Sequence, residues 1–196
     1  TVAQSLVRGV LKGYAGEMTE KQAEVFARIS RRLDSLESLI NDLLDLAASK
    51  APQLAERGGP VLLNASVGRV AVLLQPQAEE KGLALRLEPC REQLIVWGTD
   101  DGLDRIFVNL VSNAIKYTPS GGIVTLTVRK ADNQAQVAVA DTGIGIPPEA
   151  MPHLFEEFYR APNAKALSEV GTGLGLAIVK DLVEQYKGRI EVESEL

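Results

Sequence analysis

From Lys21 to Ala47 the chain contains neither glycine nor proline, and Phe26, Ile29, Leu33, Leu36, Ile40, Leu43 and Ala47 recur at alternating steps of three and four. That spacing returns to one side of an α-helix and predicts a heptad seam. Thr19, with Gln22 three residues on, forms a capping box whose hydroxyl and amide satisfy backbone donors left unpaired by the first helical turn. Gly13 and Gly16 mark a turn before it, and Val2, Leu6, Val10 and Tyr14 outline a first helix that doubles back, so residues 1–50 are expected to form a helical hairpin. Val25, Leu39, Leu44 and Leu46 add apolar surface beyond the seam. Two helices cannot cover all of it, and a homodimer pairing two hairpins into a four-helix bundle buries it economically. The alternative is that the helices pack on the chain's own globular part.

Ser49 to Pro60 breaks the period with two prolines and two glycines, which predicts a linker over 51–61 and a second domain over 62–196. There, a helix is expected from Asn64 to Lys81, apolar at Val67, Val70, Ala71 and Leu74, with Pro76 bending or interrupting it and Gly82 ending it. Strands are expected at Leu83–Glu88 and Gln93–Trp97, then a helix at Asp101–Tyr117. Ile123–Val128 and Gln136–Ala140 alternate as the arms of a hairpin. Phe155, Phe158 and Tyr159 are placed in a short helix, and Ala161–Ala166 follows without periodicity, together forming a hinged lid. A last helix, Gly173–Lys187, leads through Gly188 to a strand at Arg189–Ser194. Helices and mixed strands segregate, so the fold class is α+β, a helical hairpin followed by an α/β sandwich.

Size and composition narrow the partners. A chain of 196 residues with 45% hydrophobic content supports a true core, and a net charge of −5 with scattered basic residues leaves no footprint for nucleic acid. No apolar run approaches the roughly 18 residues needed to cross a bilayer. Cys90 is the one cysteine, which excludes an internal disulfide and suits a reducing compartment. A cytoplasmic location is expected, with membrane attachment only through segments outside this sequence.

Four segments carry candidate chemistry. On the Asp101–Tyr117 helix, Asn109 and Asn113 lie one turn apart with Lys116 three further on, opposite the apolar residues. Asn113 offers an amide oxygen of the hard type Mg prefers, Lys116 a point charge for phosphate, and Tyr117 a ring for a base. Taken alone, that face also reads as a solvated surface. Asp141 ends a strand and opens Asp-Thr-Gly143-Ile-Gly145-Ile146-Pro, where a carboxylate can accept from the exocyclic amino group of adenine and the glycines admit a close approach. Arg160 is equally suited to phosphate or to Glu156 and Glu157. Finally, Gly171-Thr172-Gly173-Leu174-Gly175-Leu176 opens a helix, whose backbone N–H groups form a phosphate cradle. A dinucleotide fingerprint fits badly because Leu176 stands at its sixth position, and no P-loop is present.

The order and spacing of these segments resemble the catalytic ATP-binding domain of bacterial sensor histidine kinases, and Leu39-Ile-Asn-Asp-Leu-Leu-Asp-Leu46 resembles the second helix of their dimerisation and phosphotransfer hairpin. The resemblance implies a Bergerat-type pocket for ATP and Mg, in a mixed five-stranded sheet backed by three helices. It puts Asn109 and Asn113 in the asparagine box, Asp141 on adenine, Gly143 and Gly145 in the first glycine box, and Gly171, Gly173 and Gly175 in the second. Hydrolytic relatives carry a water-activating Glu where this chain has Asn109. An amide cannot act as that base, which favours phosphotransfer from ATP to a histidine and on to an aspartate of a response-regulator partner.

One element of the family pattern has no counterpart. Nothing in Thr1 to Gly16 matches the phosphoacceptor histidine, so that residue is expected upstream of Thr1, and the closing strand beyond Leu196. His153 lies before the lid, where the family does not place its acceptor, and reads as a surface or capping residue. A degenerate nucleotide-sensing dimer and a serine kinase like the anti-sigma regulators are the alternatives, and the heptad hairpin argues against the second. The hairpin predicts a dimer in sedimentation at high protein concentration, and a monomer there would count against the bundle.

Overall fold

A computed structural model describes residues 2–49, 58–167 and 171–196. Helices α1 (Val2–Leu11) and α2 (Glu20–Ser49) form the hairpin. The capping box closes as expected, with the Thr19 N–H donating to Gln22 Oε1 at 2.9 Å and the Gln22 N–H to Thr19 Oγ1 at 3.3 Å. The two helices meet through polar groups. Gln4, only 5% exposed, donates to Asp34 Oδ1 at 2.9 Å and Glu37 Oε2 at 2.7 Å. Val2 and Leu6 point away from α2, at 79% and 67% exposure. Residue 4 lies about 200° around the helix from residues 2 and 6, so burying Gln4 turns that apolar pair outward.

Helix α2 has two apolar faces with different fates. Ile29, Leu36, Ile40 and Leu43 of the seam are exposed in a single chain, whereas Leu46 is 7% exposed and Leu39 packs beside it against the globular core. Both uses foreseen for the hairpin's apolar surface are therefore available, one on each face.

The α/β part opens with β1 (Gly59–Leu62), antiparallel to β3 (Ile95–Gly98). Gly59, Pro60 and Val61, read as linker, thus belong to a strand, and proline is tolerated there because a two-stranded ribbon is all edge. Of the expected linker, residues 51–57 lie outside the described residues. Helix α3 (Leu63–Glu80) runs on through Pro76. The bond lost to that proline belongs to the carbonyl of Val72, a residue 77% exposed, where water can replace the missing donor.

Strand β2 (Ala84–Glu88) pairs in parallel with β4 (Ile123–Ala131), which pairs antiparallel with β5 (Gln134–Asp141). Between β3 and β4 runs α4 (Asp100–Tyr117), and the chain closes through α5 (Pro162–Leu167) and α6 (Gly175–Gln185). Val124, Leu126 and Val128 alternate inward from β4 and meet Val67, Val70 and Leu74 of α3, Ile106, Phe107 and Val111 of α4, and Ile178 and Leu182 of α6. A mixed sheet backed by three helices is present, but the single five-stranded sheet that was expected is not: three strands form the mixed sheet and two a separate ribbon.

Two expectations are corrected. Arg189–Ser194 is irregular: Ile190 and Val192 are half-buried between exposed charged neighbours, so the two-residue alternation survives without ladder pairing. Ahead of the lid Pro148–His153 forms a 3-10 turn; in the lid the aromatics Phe155 to Tyr159 lie in irregular chain, and the helix is Pro162–Leu167. Pro162 has a backbone angle preset for a first helical position, and Ala164, Lys165 and Ala166 favour helix, while Phe158 at φ 63° cannot continue one.

The start of α4 is fixed by Thr99, whose Oγ1 accepts from the Gly102 N–H at 3.0 Å and lies 2.9 Å from the Tyr186 hydroxyl. Thr99→Ala is expected to cost about 1–2 kcal/mol in urea unfolding, and Tyr186→Phe about 1 kcal/mol. An unchanged unfolding midpoint for Thr99→Ala would show that the cap does not hold this helix.

Candidate functional site

The inner face of α4 is apolar, which leaves Asn109, Asn113, Lys116 and Tyr117 on the outer face of its last turns, all half-buried. Asn109 donates through Nδ2 to the Arg105 carbonyl at 3.0 Å, and its Oδ1 is turned to α6, where a Cβ on Gly175 would lie 2.7 Å away. The second glycine segment is thereby seated against the first asparagine.

The C-terminus of α4 is closed from three directions. Lys81 Nζ donates to the carbonyls of Ile115 and Lys116 at 2.8 and 2.6 Å, satisfying acceptors that the helix end leaves open and placing a cation at its negative pole. Burial pushes the Lys81 ammonium below its ordinary pKa. Buried Thr118 donates to the Ala114 carbonyl at 2.7 Å. From the first glycine segment, the Ile144 N–H donates to the Tyr117 carbonyl at 3.2 Å. Asp141, exposed at the end of β5, accepts the Gly143 N–H on Oδ1 at 2.8 Å. A Cβ at Gly143 would stand 2.8 Å from the Tyr117 carbonyl oxygen.

Beyond that turn, Asn163 of α5 donates to the Gly145 carbonyl at 2.9 Å, and the Ile146 N–H donates to Ser194 Oγ at 2.9 Å. Two cations converge on the second glycine segment: a Cβ on Gly171 would lie 2.7 Å from Lys116 Nζ and 3.3 Å from Arg160 Nε. Lys116 Nζ also sits 5.1 Å from the Tyr117 ring centroid. Gly173, at φ 75°, passes so close to the lid that a Cβ would be 2.6 Å from the Phe158 carbonyl carbon. Leu174, expected among ligand contacts, is fully buried, so its side chain keys the turn into the core and only its backbone N–H faces the turn, donating to Thr172 Oγ1 at 3.3 Å. Leu176 is half-buried behind it.

The hairpin also reaches this place. The Thr172 hydroxyl donates to the Asp42 carboxylate, and Arg105 pairs with Asp45 at 3.0 Å. Burial raises the Asp42 pKa from the ordinary carboxylate value, the Thr172 bond opposes that, the Asp45 charge adds to it and the Lys116 charge offsets it. His153 stays apart on the surface, 2.8 Å from Glu156 Oε1.

The structure thus brings Asn109, Lys116, Arg160 and Gly171–Gly175 into one cluster, joined along α4 to Tyr117, Asp141 and Gly143. Asp42, Lys81 and Asn163 were not anticipated. For Asp42 there was a signal, since residues 39, 42 and 46 share one helix face; Lys81 and Asn163 act across the fold, where no local pattern marks them.

Residues 98–196 match the family model described as histidine kinase-, DNA gyrase B-, and HSP90-like ATPase. Sensor protein SrrB of Staphylococcus aureus is 30% identical over 196 residues, covering 98% of this chain and 33% of SrrB. The chain therefore spans about a third of the length of the curated relatives it matches. Among solved structures, full-length ShkA in complex with AMPPNP is similar over 93% of this chain and 38% of ShkA, with 30% identity and a TM-score of 0.64. The histidine kinase ThkA in complex with the response regulator TrrA shares the fold over 95% of this chain and 53% of ThkA, at 22% identity and a TM-score of 0.66.

Gly173→Ala is expected to destabilise the domain by about 1–3 kcal/mol, because a positive φ and a close backbone both oppose a Cβ. Gly175→Ala meets only the Asn109 side chain, which can move, and should cost less. Equal unfolding midpoints for the two variants would refute this account of the turn.

Proposed function

The chain belongs to the histidine kinase-, DNA gyrase B- and HSP90-like ATPase family, as the catalytic domain of a bacterial sensor histidine kinase, and from that premise we propose that it binds ATP with Mg for transfer of the γ-phosphoryl group to a histidine. The observation that carries this reading is the meeting of Lys116, Arg160 and Asn109 at Gly171–Gly175, a turn that runs into the N-terminus of α6. Two cations, backbone N–H groups and the positive pole of an eleven-residue helix suit a triphosphate.

The adenine end follows from Asp141. Its Oδ1 is held by the Gly143 N–H, which orients the carboxylate so that Oδ2 can accept from the exocyclic amino group of adenine; guanine presents a carbonyl there. Tyr117 would supply a ring to lie against the base, and Gly145 and Ile146 would continue the wall. Asn113 is the proposed protein ligand for Mg, its amide oxygen having the right hardness on the face of α4 that carries Asn109 and Lys116. Bound there, the ion would neutralise phosphate charge. The backbone of Thr172, Leu174, Gly175 and Leu176 would complete the cradle.

Phosphotransfer, rather than hydrolysis, is favoured because Asn109 has no basic group to activate water. Catalysis would rest on positioning and charge neutralisation. The acceptor imidazole, with an ordinary pKa near 6.5, is largely unprotonated at neutral pH and needs little activation. A homodimer formed through the exposed seam of α2, a response-regulator receiver domain as the next acceptor, and a cytoplasmic setting complete the proposal. SrrB is a sensor protein, and ThkA is solved with a response regulator, which support the partner class.

Calorimetric titration should give binding of ATP with Mg and much weaker binding of GTP. Asp141→Asn is expected to lose about tenfold to a hundredfold in ATP affinity, the worth of a charge-assisted hydrogen bond, with little effect on GTP. Equal binding of ATP and GTP by the unmodified chain would remove Asp141 from the adenine role. In a chain extended upstream of Thr1 to include a histidine acceptor, ATP should yield an acid-labile, base-stable phosphoprotein, and a stoichiometric nucleotide complex that never yields one would favour a nucleotide sensor.

A further inference from the structure

The phosphate cradle is engaged by an acid of the hairpin. Asp42 lies on the α2 face that docks against the globular domain, between Leu39 and the buried Leu46. Its carboxylate takes the Thr172 hydroxyl bond and sits within the field of Lys116, whose Nζ lies over Gly171 beside Arg160. A carboxylate that takes the Thr172 hydroxyl of the turn before α6 and feels the Lys116 charge is chemically what one phosphate oxygen pair would be. Asp45, one turn on, is paired instead with Arg105 on α4, outside the cradle. Two anchors thus hold α2 down, and one of them engages the Thr172 hydroxyl and the Lys116 charge at the turn proposed for the nucleotide phosphates.

We infer that Asp42 is a built-in competitor for the triphosphate, so that nucleotide phosphates and the hairpin helix exclude one another from the second glycine turn. The inference rests on the ATP reading of this pocket and adds a regulation to it. Whatever fraction of molecules holds Asp42 in the cradle is closed to phosphate, and the apparent affinity falls by that fraction. By reciprocity, ATP lifts the Asp42 end of α2 by the same factor that Asp42 weakens ATP. Because the exposed seam lies on the same helix, occupancy of the pocket is communicated to the dimerising surface without any ligand touching it.

Calorimetric titration of the whole chain with ATP and with adenosine tests this, using Asp42→Ala and, as a docking control, Asp45→Ala. Asp42→Ala should bind ATP about five- to twentyfold more tightly than the unmodified chain, within the usual range of intramolecular couplings, and adenosine equally well. Asp45→Ala should change ATP affinity much less. Equal ATP affinity in Asp42→Ala and the unmodified chain would overturn the competition while leaving the ATP reading intact. Equal tightening of adenosine, or by Asp45→Ala, would overturn it in favour of general undocking. Failure of all three proteins to bind ATP would overturn the ATP reading and the competition together.

Discussion

Everything at the site depends on the burial of one side of α4. Ile106, Phe107, Val111, Ala114 and Ile115 lie in the core against β4 and α6, and that contact fixes the helix in position and in rotation. Rotation matters most, because Asn109, Asn113 and Lys116 occupy the outer face only while the inner face stays buried. Both glycine segments then take their places from α4, one from the Tyr117 carbonyl and the other from Asn109. Removing a few methylenes from that inner face would act on the pocket through geometry, at a distance from any ligand.

The hairpin is the second structural theme. A helix whose apolar residues followed only the heptad seam could swing free of the domain it precedes. Here a second stripe, with Leu39 and Leu46 flanking Asp42 and Asp45, docks α2 on the globular domain through both apolar burial and charge. Apolar contact fixes where the helix lies. The acids decide what else may lie there, which is a distinct use of the same few residues.

Much of this was legible in the sequence, for physical reasons that can be named. Long elements with strong periods, α2 and α4 above all, declared themselves because burial on one face enforces the period. The capping box at Thr19 and Gln22 was legible because both partners are local. Errors fell where local preference and tertiary setting part company: Gly59 and Pro60 resemble a linker yet pair with β3, and Arg189–Ser194 alternates like a strand without joining a ladder. The aromatics of the lid suggested a helix, whereas the helix belongs to Pro162 and the alanines after it. The glycine and asparagine segments could be read as a set, but Lys81 at the end of α4 could not, since it acts across a separation of 34 residues through backbone carbonyls that carry no sequence signature.

The Asn163 bond to the Gly145 carbonyl has a consequence for the outline of the site. The perimeter of the site runs from α4 through the Tyr117 carbonyl to the first glycine segment, through Asn163 to the lid, through Phe158 to Gly173, and through Gly175 back to Asn109. It is a loop with no free end. A closed circumference cannot widen at one station unless another gives way, so a guest too broad for the rim must break a particular clasp to enter. Asn163 makes its station with one hydrogen bond from a six-residue helix, so the lid is tied to the first glycine segment by a single side chain.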